Sequence, residues 1–163
     1  MQSSLRQLAS CGRIEKLITV GSKSGDNEEE VKLLKELKFR DGFEQRGSQP
    51  EDVISQLFAT ASLALFGQSG SSLTKSGTFM AYAAHRLAVI SESADPAKPE
   101  PFCLLIAPQE LIEGISHPEL QKRAERLRDW QERTSSWEII SREVAAALEL
   151  RMPDRSPAEA LKQ

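Results

Sequence analysis

Short apolar runs bounded by Gly, Pro or Ser alternate along the chain with segments whose apolar residues recur three or four apart. The runs Leu17–Val20, Phe43–Arg46, Ser62–Phe66, Leu87–Ile90 and Phe102–Ile106 read as strands. Between them, Glu28–Lys38 places Val31, Leu34 and Leu37 on one helical stripe. Pro50–Thr60 does the same with Val53, Ile54, Leu57 and Phe58, continuing to Ala61, and Gly77–His85 reads as a third helix. Two helices follow the last strand, one carrying Leu120, Ala124 and Leu127, the other Ile140, Val144 and Leu148. With no strand after them, they are expected to pack across the sheet. Helix starts are marked at Asp26 with Glu29, at Ser48-Gln49-Pro50-Glu51, at Ser116–Glu119 and at Ser135–Glu138. Each has a small polar residue set three before an acid, the spacing of a capping box.

Strands alternating with helices imply an α/β fold with a mainly parallel sheet covered on both faces. The strong preference for right-handed crossovers then predicts a Rossmann-like three-layer αβα arrangement. Ser91–Pro101 is a Pro-rich exposed loop rather than a linker, because a core run follows it. Residues 1–150 form one expected domain, and 151–163 a polar tail.

Composition narrows the partners. The 163 residues carry a net charge of −3, so there is no basic surplus for a phosphate backbone and nucleic acid is not expected. The basic residues of Lys122–Arg133 are interleaved with Glu125, Asp129 and Glu132, the pattern of a solvated helix face. Cys11 and Cys103 sit in no paired or metal-ligand spacing, which suits reduced, buried thiols in a cytoplasmic protein. No apolar run approaches the ~18–20 residues of a membrane span, and the N-terminus lacks the features of a secretory signal.

Chemistry concentrates at the carboxyl ends of the expected strands, where open α/β sheets bind ligands. Those ends carry Gly21-Ser22-Lys23-Ser24-Gly25, Gly47-Ser48-Gln49, Gly67-Gln68-Ser69-Gly70 and Ser91-Glu92. Small residues there let a ligand approach backbone N–H groups. The third loop is the richest. After Leu63–Phe66 it runs through Gly, Ser and Thr to Lys75-Ser76-Gly77-Thr78, which opens a helix. A helix N-terminus with free amides and one ammonium has the chemistry of a phosphate cradle. It is not a Walker A loop, because Ser69 and Thr74 stand where glycines are required. No dinucleotide G-x-G-x-x-G, no nucleophile elbow, no acidic receiver-type strand ends and no metal-ligand cluster occur. His85 reads as a helix C-terminal residue and His117 as part of a helix start.

Leu65–Ser91, LFGQSGSSLTKSGTFMAYAAHRLAVIS, resembles the donor-binding segment of GT-B glycosyltransferases of the large retaining group that includes sucrose and mannosyl transferases. In that family an apolar strand leads through a Gly/Ser-rich loop and a helix to an A-H/x-G-x-P-V-V turn, whose second position is His or any residue. Ala84–Ile90 resembles this turn, with Arg86 in place of Gly and Ala88 in place of Pro. Leu17–Gly21, Phe39–Gly47 and Ser136-Trp137-Glu138 resemble neighbouring family elements, so the likeness spans roughly Ile14–Leu150. The family's paired glutamates eight positions apart are absent, with Leu73 and Ala81 at the matching places. Lys75–Thr78 resembles a variant with a basic helix start.

The resemblance implies a nucleotide-sugar co-substrate and no resident cofactor or metal. It places the diphosphate on the N–H groups of Ser76, Gly77 and Thr78 and on the Lys75 ammonium, and the nucleobase against Gly47, Ser48 and Gln49. It also implies that the family's first strand and acceptor-binding domain lie outside this chain, with Gln2–Cys11 as the helix after that strand. The absent strand would belong between those of Leu17 and Ser62. Closure of the sheet, an N-terminal acceptor domain or a second copy of the chain would each answer the gap. The competing reading is a non-catalytic interaction or nucleotide-binding module.

Overall fold

The computed structural model describes residues 2–21, 28–68, 70–135 and 137–151. Helix α1 (Gln2–Ser10) precedes β1 (Leu17–Thr19), α2 (Glu28–Glu36), β2 (Phe43–Gln45), α3 (Glu51–Thr60) and β3 (Leu63–Phe66). A 3₁₀ turn over Gly70–Lys75 leads into α4 (Gly77–Ala84) and β4 (Ala88–Ser91). A second 3₁₀ turn, Phe102–Leu104, precedes α5 (Pro108–Glu113), α6 (His117–Ser135) and α7 (Trp137–Arg151). The polar tail beyond Arg151 lies outside the described residues.

The protein is mixed α/β, and its described residues hold four short strands arranged as two parallel pairs. β1 pairs with β2 in the register Leu17–Phe43, Ile18–Glu44 and Thr19–Gln45. β3 pairs with β4 from Leu63–Ala88 to Phe66–Ser91. β1 and β3 are not paired with each other, so the expected single sheet is in two pieces. The expected fifth strand, Phe102–Ile106, does not form. Its amides are spent on local turns: Phe102 N–H donates to the Pro99 carbonyl, Leu104 N–H to Pro101 and Leu105 N–H to Phe102. Only Ile106 reaches the sheet, as a single parallel bridge to Ile90. Leu104, Leu105 and Ile106 are nonetheless all buried. A continuous buried apolar run has no periodicity to separate a strand from a compact turn.

Two helix starts differ from expectation. α3 begins after Pro50, which occupies the cap position with no side-chain cap bond, so Ser48 caps nothing. The Pro50 carbonyl takes the first helical bond, from Ile54 N–H, while the Gln49 side chain turns back to the Arg46 carbonyl. At α6, Ser116 Oγ does accept from Glu119 N–H at 3.4 Å. The Glu119 carboxylate is drawn instead to Arg123 four residues on. The expected start at Asp26 lies outside the described residues. α5 was not legible as a helix in the sequence. It begins with Pro at its first turn, and the Glu110 carboxylate accepts from Ala107 N–H.

The core divides into two clusters flanking β3 and β4. One gathers Phe66, Leu73, Phe79, Ala83, Leu87, Val89, Leu104, Leu127 and Trp130. The other joins α1 (Leu8, Ala9) to Phe39, Ala88, Ile90, Ile106, Leu111 and Ala124. α6 therefore packs as expected, with Ala124, Leu127 and Trp130 inward. The α7 stripe does not: Ile140, Val144 and Leu148 are exposed.

α4 ends in a Schellman motif. Leu87 N–H donates to the Tyr82 carbonyl and Arg86 N–H to Ala83. This puts Arg86 at φ 58, a conformation that suits glycine far better. Arg86→Gly is expected to raise the unfolding free energy by about 0.5–1 kcal/mol, because relief of the left-handed strain exceeds the added freedom of the unfolded chain. A urea titration showing a loss would mean that Arg86 makes contacts worth more than that strain.

Within β2, Glu44 is held by Arg46 at 2.7 Å and by Lys16 at 2.7 Å. The Arg46 bond, with that of Lys16, lowers its pKa from 4.5 to about 2. A carboxylate with a depressed folded pKa contributes stability that is whole above the unfolded value and is lost as pH falls through the folded one. Glu44 should therefore cost the protein stability between pH 4.5 and about 2. Glu44→Gln should flatten that part of the stability profile, and thermal melts across the range would reveal an unchanged slope if it does not.

Candidate functional site

The loop after β3 is more closed than its composition suggests. Gly70–Lys75 winds as a 3₁₀ turn, and Leu73 drops fully into the core beside Phe79. A methyl group on Gly70 would sit 3.3 Å from the Phe102 ring and 3.4 Å from Ser93 Oγ, so the loop after β4 packs against this turn. Ser76 then caps α4. Its Oγ accepts from Phe79 N–H at 3.3 Å, and its carbonyl accepts from Met80 N–H. Apolar residues at Leu73 and Phe79 anchor both sides of Lys75–Thr78, which is why the four residues are held at the surface.

Each of these four stands differently. Ser76 N–H is used within the turn, donating to the Leu73 carbonyl at 3.1 Å. Gly77 and Thr78 occupy the first two positions of α4 and are exposed, and their N–H groups have no partner among the described residues. Lys75 is exposed and makes no ion pair among the described residues. The site thus offers two free amides and one ammonium, one amide fewer than the sequence implied.

The nucleobase-facing group lies at the end of the other strand pair. Gly47, at φ 60, accepts from Gly21 N–H at 2.7 Å, tying the rims of β1 and β2 together. Gln49 is folded back on the carbonyls of Arg46 and Ser48. No hydrogen bond among the described residues links Gly47–Gln49 to Lys75–Thr78. Ser22–Gly25 lies outside the described residues. At the end of β4, Ser91 is fully buried, with its Oγ accepting from Ser93 N–H, and Glu92 accepts from Ser4 Oγ at 2.6 Å.

His85 is the C-cap of α4, its ring edge-on to Phe58 at 5.2 Å, and His117 opens α6. Both fit the structural roles read from the sequence. Cys11 and Cys103 are unbridged, and both are half-buried rather than buried as expected.

Sequence reading missed two charged assemblies. Arg123, read as part of a solvated face, is only 20% exposed and forks onto Glu110 with bonds of 3.1 and 2.7 Å. It also reaches the Leu105 carbonyl and Glu119. Burial opposes ionisation of Glu110, but the Arg123 guanidinium and Ala107 N–H outweigh it and hold the carboxyl below its ordinary range. In the second, Glu100 bridges Arg126 and Arg133 beside an open cleft of about 400 Å³. Partners 13, 26 and 33 positions apart carry no local signal that could have paired them. The cleft residues pair largely with each other, so it adds little to a ligand reading.

No protein-family model, no curated protein and no solved structure matches this chain. What fold and site define is therefore a class: a mixed α/β protein with two small parallel strand pairs among its described residues, whose α4 start presents two amides with no partner among them. No helix among the described residues is long and apolar enough to cross a membrane.

Proposed function

We propose that this chain is the donor-binding half of a glycosyltransferase, holding a nucleotide-sugar by its diphosphate at the N-terminus of α4. The observation that carries the reading is the pair of exposed N–H groups at Gly77 and Thr78 with no partner among the described residues, two and three positions after the exposed Lys75. The fold behind it is read as Rossmann-like, three-layered and without a first strand. The break in pairing between β1 and β3 supports that reading.

In sugar transfer the diphosphate is the leaving group, so donors fixed around it stabilise the negative charge that develops as the glycosidic bond breaks. Gly77 and Thr78 would donate to the phosphate oxygens, aided by the positive end of the α4 dipole. Lys75 would neutralise charge, and Gly47–Gln49 would face the base. Transfer requires an acceptor held in register with the donor, which falls to an acceptor-binding domain or a second copy of the chain. The cytoplasm, where nucleotide-sugars are made, is the matching compartment.

A second reading has its own support. The closed 3₁₀ turn and the internally bonded Ser76 amide narrow the cradle, which favours a module that binds a nucleotide or a partner without turnover.

Calorimetry with UDP, GDP and ADP decides between nucleotide binding and its absence. Saturable heat is expected for one of them. Lys75→Ala should weaken it by about 1–3 kcal/mol through loss of a charge-assisted bond. Gly77→Pro is the sharper probe. Proline is accepted at the first helical position, Ser76 already has the extended ψ of 115° that a following proline requires, and no atom lies within 4 Å of an added Cβ. The variant should fold normally and lose affinity along with the amide. Silence from all three nucleotides at millimolar concentration removes the donor reading and leaves an interaction module.

A further inference from the structure

We draw no further inference here: the strongest candidate, the exposed apolar stripe of Ile140, Val144 and Leu148 along α7, carries nothing because nothing in the structure shows what covers it.

Discussion

Replacing Phe79 by alanine lowers the unfolding free energy by about 3–5 kcal/mol, the range for removing a fully buried aromatic ring. Phe79 has no exposure at all. Its ring lies 5.5 Å from that of Phe66 and 6.0 Å from that of Trp130, both tilted, so one side chain joins β3, α4 and α6. Its backbone N–H is the one that Ser76 caps. Truncation would open a void among Leu73, Leu87 and Leu127 that rigid neighbours fill only in part. Phe79→Leu, which keeps most of the volume, should cost less than half as much. Equilibrium urea unfolding of both variants gives the comparison. A loss below about 1 kcal/mol for the alanine variant would mean that this cluster is not close-packed.

Arg123→Met lowers stability by about 2–3 kcal/mol. The guanidinium satisfies three groups at once: the Glu110 carboxylate, the Leu105 carbonyl and Glu119. Methionine keeps the apolar stem but leaves the carboxylate and carbonyl unpaired. Glu110 is 36% exposed, so water recovers part of the loss and the cost falls short of that for a buried pair. The sign with pH follows from Glu110, whose carboxyl lies below its ordinary value of 4.5 when folded. Its contribution is whole above that value and fades as pH falls through the depressed one. The gap between wild type and Arg123→Met should therefore narrow in acid. Adding Glu110→Gln should recover part of the loss at pH 7. A gap that stays constant down to pH 3 would show that the Leu105 carbonyl, not the carboxylate, carries the coupling.

The readable parts of this fold were those with a local cause. Leu17, Phe43, Leu63 and Ala88 head strands where apolar residues meet a glycine or serine boundary. α4 was legible because Ser76 supplies a cap and His85 an end. Gly77 and Thr78 were legible as helix-start amides for the same reason, since nothing beyond the first turn is needed to leave them free. The fate of Ser76 N–H was not legible. It depends on the preceding loop closing into a 3₁₀ turn, which happens because Leu73 finds a core pocket beside Phe79.

Periodicity, caps and turn residues determined by themselves the strands β1 to β4, the helices α2, α3, α4, α6 and α7, and that the strands run parallel. They act over one to four residues and need no partner. Tertiary structure alone decided that the strands divide into two pairs, that Phe102–Ile106 gives the sheet one residue instead of five, and that Arg123 turns inward to Glu110. Each of these rests on a pairing between groups far apart in the chain, where the free energy comes from burial and satisfied polar atoms that no local pattern encodes.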